Sequence, residues 1–248
     1  MSILRVTLVQ TPSLNLDSVL KTIGDSESDV IVFPEETLRT ETLDEIDKIR
    51  NAVGHKHVFL GVIYLYRNRT YNFGYYISAN KVERYQKVHV HWTEAHVPGK
   101  TLRVIKMPFG RVGILICFDT AFQESARVLA LKGAEMIMVL HAIPQTFSIE
   151  HVLLRSQAMA LNNQLFVVQC CKAGPGFSGE SVIINPRGRV IIKLDSKPQI
   201  STFSIDLDEV KEWRAEEKIF PFRKPRIYQI ITKEKTFQKP FFPSGSVS

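Results

Sequence analysis

A thiol, two carboxylates and an ammonium group stand at or near the ends of apolar runs in this chain. Cys117 closes the run "RVGILIC" and is followed by Phe118-Asp119-Thr120 and a helical pattern. A strand that gives way to a helix start offers unpaired backbone N–H groups and the positive end of a dipole. Both favour a thiolate and predict a thiol pKa below ~8.5. The same N–H groups can hold an oxyanion, so this thiol is placed to attack a carbonyl or nitrile carbon. A core cysteine ending an apolar strand fits the local sequence equally well. Glu35 follows "VIVFP". Partial burial there would raise its pKa and suit a general base, whereas taken alone it reads as a surface glutamate opening a loop. Lys87 and Glu94 lie in "RYQKVHVHWTEAHVPG". A strand-end lysine can donate to a developing oxyanion. Taken alone it reads as a solvated edge lysine.

The elements that must position these groups alternate between strand and helix. Residues 3–9 form a strand. Asp17 can cap a short helix carrying Val19, Leu20 and Ile23, with Gly24 at its end. "VIVF" has apolar residues on both faces, as in a covered strand. Leu43, Ile46, Ile49 and Val53 recur at helical spacing before Gly54. "HVFLGVIYLY" and "TYNFGYYIS" bracket "RNR" as a hairpin, and "VERYQKVHV" continues the sheet. After the strand ending at Cys117, Asp119 or Thr120 caps a helix bearing Phe122, Ala126, Leu129 and Ala130, closed by Gly133. "EMIMVL" is a strand, 149–163 a helix, "QLFVVQC" a strand, and "ESVIINPRGRVIIKL" a hairpin turning at Pro186-Arg187-Gly188. The final "KEKTFQKPFFPSGSVS" has no period and reads as an arm or frayed tail.

Composition narrows the functional classes. With 248 residues, 44% hydrophobic and 23% charged, the chain can bury a large core. No apolar stretch approaches ~18 residues, so no membrane span is expected. The N-terminus alternates and contains Arg5, a strand pattern rather than a secretory signal. Three cysteines, at 117, 170 and 171, make no disulfide framework and suggest a reducing, cytoplasmic setting. The net charge of +7 is dispersed, with "FRKPR" the only dense cluster, and no nucleic-acid recognition motif accompanies it. His89, His91 and His96 raise the question of a metal site, but no cysteine is near and local polar packing is the better reading. Adjacent Cys170 and Cys171 could pair only in a strained ring. They read as small buried residues. Phe59, Phe73, Tyr75 and Phe122 could line a pocket, although strand aromatics are more often core.

Taken together, the segments resemble the nitrilase superfamily of carbon–nitrogen hydrolases, on its amidase-like side. Phe33-Pro34-Glu35 matches the first family mark. Tyr85, Lys87, His89, Glu94, Pro98 and Gly99 match the second, with Glu94 seven residues beyond the lysine and a short gap to Pro-Gly. Gly113, Cys117, Phe118 and Asp119 match the third. Tyr71-Asn72, Gly179-x-Ser181, Pro186-x-Gly188, "DLDEV" and "RKPRIY" agree more weakly. The three catalytic segments in this order are far more specific than any one of them.

The resemblance implies an α/β fold, a four-layer α-β-β-α sandwich, with a carbon–nitrogen hydrolase domain over residues 1–231 and a C-terminal arm over 232–248. It implies a homodimer or higher homo-oligomer, with the arm able to reach a partner subunit. It implies Cys117 as nucleophile, Glu35 as proton carrier, Lys87 and the backbone N–H of Phe118 as oxyanion donors, and Glu94 as the residue orienting Lys87 and the substrate. No metal or organic cofactor is required. The expected activity is cleavage of a non-peptide carbon–nitrogen bond in a small linear amide or carbamoyl compound through a thioester. Alternatives are a true nitrilase and a catalytically idle binding or scaffold protein. Some positions depart from the family. Ala121 and Gln123 replace an Arg and a Pro, Met159-Ala160-Leu161-Asn162-Asn163 loses two charged residues, and Cys171 stands where Asn is common.

Overall fold

The computed structural model describes residues 3–233. The first half contains β1 (Ile3–Gln10), α1 (Leu16–Asp25), β2 (Val30–Val32), β3 (Leu38–Thr40), α2 (Asp44–Ala52), β4 (His57–Tyr66), β5 (Arg69–Ser78) and β6 (Lys81–Gln86). Next come β7 (Val104–Met107), β8 (Gly110–Ile116), a 3-10 turn over Cys117–Ala121, α3 (Gln123–Leu131), β9 (Met136–His141), α4 (Ile149–Asn163) and β10 (Phe166–Cys171). The chain closes with the short pair β11 (Ala173–Gly174) and β12 (Phe177–Ser178), then β13 (Val182–Ile184), β14 (Val190–Lys193), β15 (Gln199–Asp206) and α5 (Asp208–Glu216).

One sheet has the order β15-β1-β2-β4-β5-β6, with β3 also pairing β4, and the other runs β14-β13-β10-β9-β8-β7. Strand alternation sorts the apolar residues to two faces. Val6, Leu8, Val32 and Phe59 from the first sheet meet Ile114, Ile116, Met138, Leu140 and Val168 from the second in one buried cluster. Val19 and Ile23 of α1 and Ile46 and Ile49 of α2 cover the outer face of the first sheet. Ala126 and Leu129 of α3 and Met159 and Ala160 of α4 cover that of the second. The result is the α-β-β-α sandwich. The sheets approach closely at Gly74, where a Cβ would lie 2.8 Å from the Ile114 side chain.

Three local expectations change. Asn15, not Asp17, caps α1, its side chain accepting from the Ser18 N–H, and the helix runs through Gly24 to Asp25. Neither Asp119 nor Thr120 caps α3. The residues after Cys117 close a 3-10 turn first, and α3 begins at Gln123. Strands β3, β7, β11, β12 and β15 and helix α5 are additional, and β15 seals the edge of the first sheet against β1. Among the described residues no helix is long and apolar enough to cross a membrane. The proposed arm lies almost wholly outside the described residues.

Candidate active site

Glu35 leaves the first sheet in the turn between β2 and β3. Both strands run parallel to β4, pairing Val32 with Phe59 and Leu38 with Val62, so residues 33–37 bulge out over Gly61. A Cβ on Gly61 would sit 2.3 Å from the Pro34 carbonyl oxygen and 2.5 Å from Glu35 Cα. Only glycine allows the turn to lie there. The Thr37 hydroxyl closes the turn by donating to the Pro34 carbonyl at 2.8 Å.

Lys87 is the first residue beyond β6. Its N–H donates to the Asn72 carbonyl, and its own carbonyl accepts from the Gly99 N–H at 2.7 Å. The excursion from 88 to 98 is thus pinned at both ends. Within it the Glu94 N–H bonds back to the His91 carbonyl, which returns the Glu94 carboxylate to Lys87.

These elements bring the predicted groups together. Lys87 Nζ donates to Glu35 Oε1 at 2.9 Å and to Glu94 Oε1 and Oε2 at 2.8 and 2.9 Å. Glu35 Oε1 also accepts from Asn72 Nδ2 at 2.7 Å, and Oε2 from the Ala142 N–H at 2.9 Å. Lys87 and Glu35 are fully buried, while Glu94 keeps partial contact with solvent. A charged pair taken from water must be held by several bonds to persist, and here every charge has at least two.

Cys117 sits in the left-handed region at φ 43°. Such a backbone costs of order 1–3 kcal/mol for a residue other than glycine. Asp119 braces it: Oδ2 accepts from the Ile116 N–H at 3.0 Å and from the Tyr85 hydroxyl at 2.7 Å. Asp119 Oδ1 accepts from the His89 N–H at 2.8 Å and meets His89 Nδ1 at 2.9 Å. Burial, then Asp119, holds the Tyr85 phenol far above its ordinary value, so it stays a donor. Thr120 ties the turn by donating to the Cys117 carbonyl at 2.8 Å.

The electrostatics correct one expectation. The Cys117 thiol is pushed well up, not down, by burial first and Glu35 second, with Lys87 opposing. The residue retains some exposed surface, yet protein atoms surround its sulfur, and no α-helix begins beside it to offset that burial. Glu35 is also raised by burial, against the lowering influence of Lys87. Burial opposes the charge on Lys87, but the carboxylates of Glu35, first, and Glu94 hold its pKa above the usual value. At rest the thiol keeps its proton, Lys87 is charged, and Glu35 is the basic group coupled to both. That arrangement suits proton transfer during attack rather than a standing thiolate.

Phe118 lies half-buried, edge-on to His91 at 5.0 Å and to Phe122 at 5.3 Å. Of the aromatics that could line a pocket, Phe59, Phe73 and Tyr75 are core, and Phe122 stacks on His89 at 3.8 Å. The imidazoles of His89, His91 and His96 bond separately to Asp119, Thr93 and Thr70. Among the described residues no group of three or more ligating side chains is placed to hold a metal. Cys170 and Cys171 face opposite sides of β10. Cys170 donates to the Val32 carbonyl at 3.1 Å, and Cys171 accepts from Gln169 Nε2 at 3.3 Å. Burial pushes the Cys171 thiol up to about 12. Asn72, Gly61 and the Ala142 N–H are additions to the predicted site. A buried Asn inside "TYNFGYY" was the available signal, since a buried amide needs partners.

Known proteins resemble this chain in both sequence and fold. Residues 15–215 match the sequence profile of the family described as carbon-nitrogen hydrolase. The chain is 33% identical over 172 residues to a Schizosaccharomyces pombe protein named a probable nitrilase, covering 65% of this chain and 63% of that one. It is 30% identical over 154 residues to an omega-amidase of Xenopus tropicalis, covering 60% of this chain and 55% of the relative. The match therefore spans less than two thirds of each relative's length. A carbon–nitrogen hydrolase structure from Helicobacter pylori superposes with a TM-score of 0.81 at 17% identity, covering 94% of this chain and all of that one, and so shares the fold. With the profile spanning most of the chain, the protein belongs to the carbon–nitrogen hydrolase family.

Proposed function

We propose that the protein is an amidase that hydrolyses a small linear amide through a thioester on Cys117. The observation that carries this reading is the buried Glu35–Lys87 pair, held by Glu94 and electrostatically coupled to the Cys117 thiol on strained backbone. Cys117 Sγ attacks the amide carbon, and the carbonyl electron pair moves to oxygen. Lys87 Nζ and the Phe118 N–H take that oxyanion. Glu35 accepts the thiol proton and passes it to the nitrogen, so the C–N bond breaks and ammonia or an amine leaves. Glu35 then takes a proton from water as its oxygen attacks the thioester, and returns that proton to the departing sulfur. Glu94 holds Lys87 in place.

Amide is favoured over nitrile. Phe118-Asp119 after the nucleophile is the pattern of the amidase branches, and Asp119 braces the turn through its bonds to Ile116, Tyr85 and His89. The omega-amidase relative supports the same side. The test is ammonia release across amides, carbamoyl amines, ω-amides and nitriles, including an amide and a nitrile of one carbon skeleton at equal concentration. Faster acid formation from the amide is expected; faster formation from the nitrile overturns the assignment.

Pairing of two copies belongs to the same reading, with the protein working in the cytoplasm as its three free thiols suggest. Leu154 and Leu161, 63% and 42% exposed on the outer face of α4, support pairing through the helical layer. Light scattering on the wild type and on Leu154→Glu tests it. A dimer that the substitution dissociates is expected, and a monomeric wild type would refute it.

A further inference from the structure

Beyond the catalytic cluster, one buried charged group has no part in the steps above. Lys172 follows β10, and its side chain is 7% exposed. Its Nζ meets Glu36 Oε2 at 3.2 Å and lies 4.3 Å from the centroid of the Phe177 ring. Among the described residues Glu36 is the only acceptor bonded to Nζ, which leaves two of its N–H donors free. Glu36, with 34% of its side chain exposed, follows the base Glu35 and has φ 54°.

The register places this pair at the same sheet end from which Cys117 leaves β8. β8, β9 and β10 are parallel neighbours, with Ile116 opposite Leu140 and Cys170 also opposite Leu140. Cys171 in turn pairs with His141, Lys172 stands one step beyond, next to Ala142, and Cys117 follows the end of β8 directly in its 3-10 turn. The Lys172 N–H donates to the His141 carbonyl at 2.8 Å, and the next N–H along β9, that of Ala142, holds Glu35. The β11–β12 hairpin closes over the far side: the Gln145 N–H donates to the Gly176 carbonyl, and the Ser178 N–H to the Ile143 carbonyl, each at 3.0 Å. Two strand spacings put the ends of β8 and β10 roughly 10 Å apart. An acyl chain of three or four carbon–carbon bonds, about 5 Å long, spans that interval once the side chains extend from either end.

We propose that Glu36 and Lys172 form the subsite for the charged head of an α-amino acid, so that the substrate is the side-chain amide of a short amino acid. This deepens the amidase reading and rests on it. The α-carboxylate binds the free donors of Lys172, and the α-ammonium binds Glu36 Oε1, without rupture of the existing pair. A ligand carrying only a carboxylate would meet the negative charge of Glu36 as well as Lys172. A neutral ligand would desolvate both charges without compensation.

Three probes of similar length separate these cases: glutamine, with both charges; glutaramate, with the carboxylate alone; and butyramide, with neither. The expected kcat/KM for glutamine is at least tenfold above the other two. Lys172→Met should lower the glutamine-to-butyramide ratio tenfold or more, through KM, and Lys172→Arg should restore most of it. Glu36→Gln should lower the glutamine-to-glutaramate ratio. A purely structural ion pair would slow all three substrates alike. Equal ratios in wild type and variants, or glutaramate cleaved as well as glutamine, overturn the proposal. Calorimetric binding of glutamine to Cys117→Ala gives a readout without turnover. Binding there that Lys172→Met abolishes supports the subsite even if no amide is hydrolysed, which would count against the amidase reading alone. Binding that Lys172→Met leaves intact refutes the subsite even if amides are hydrolysed.

Discussion

At the scale of single residues, the chemistry rests on protonation states that burial sets and Lys87 moderates. Cys117→Ala removes one sulfur at modest stability cost and should abolish turnover while the fold persists. Cys170→Ala and Cys171→Ala should each keep most activity, because those thiols pack inside β10's two faces. Glu35→Gln keeps the shape and loses the proton acceptor, so kcat should fall of order 10² or more; unchanged kcat with raised KM would make Glu35 a binding residue. The carboxyl of Glu35 titrates above its ordinary 4.5 because it is buried. The acid limb of the kcat/KM profile should therefore have its midpoint above that value. Residual activity in Lys87→Met should show the limb moved further up, since Lys87 lowers Glu35. Stability follows with the opposite trend. Folded Glu35 holds its proton more tightly than unfolded Glu35, a contribution present below 4.5 and lost as pH rises through the folded value. Melting curves from about pH 4 to about pH 8 should show Glu35→Gln gaining on the wild type across that window. A constant difference in melting temperature would contradict the burial argument. That Cys117, Glu35, Lys87 and Glu94 are the candidate groups was legible in the sequence because their motifs are short and ordered, and the structure gathers Glu35, Lys87 and Glu94 into one cluster. The positive φ of Cys117 and its raised thiol were not legible, because both depend on the 3-10 turn that replaces the expected helix start.

At the scale of elements, the site depends on where strands stop and on what lets their ends come together. Gly61 shows how a position remote from chemistry enters it. Gly61→Ala would drive a methyl into the Pro34 carbonyl and Glu35 Cα. We expect a stability loss of about 1–3 kcal/mol, and a kcat loss approaching 10²-fold from displacement of Glu35. Gly24 in α1 is the contrast, since a Cβ there meets nothing within 4 Å. Gly24→Ala should stabilise the fold by about 0.5–1 kcal/mol and leave kcat unchanged. Urea unfolding with steady-state kinetics on both variants checks the pair; a fully active Gly61→Ala would show that the turn tolerates the shift. Long apolar strands and α4, which runs from 149 to 163 as its periodicity implied, were readable from sequence. Short or edge elements were not. β3 has three residues, and β15 exposes alternate residues of mixed polarity, so neither carries a strong period. The start of α3 was misplaced because Asp119 and Thr120 are good capping types whose side chains are committed to the Cys117 turn.

At the scale of the whole molecule, the sandwich supplies what no single segment has, namely a seam between two sheets where groups far apart in sequence meet out of water. Glu35 comes from the first sheet, Cys117 from the second, and Lys87 from a strand end on the first, and the seam makes one coupled unit of them. The layer order was implied by family resemblance and by alternating elements. The seam's closeness was not, since it depends on contacts such as Gly74 against Ile114 that periodicity does not encode. The central claim is that amide cleavage passes through an acyl group on Cys117. Intact-mass analysis of enzyme quenched during turnover of a short aliphatic amide tests it most directly. The account predicts an added acyl mass, mapped to the Cys117 peptide, absent from Cys117→Ala and lost on treatment with hydroxylamine. Continued turnover by Cys117→Ala, or an acyl adduct on a residue other than Cys117, would contradict it.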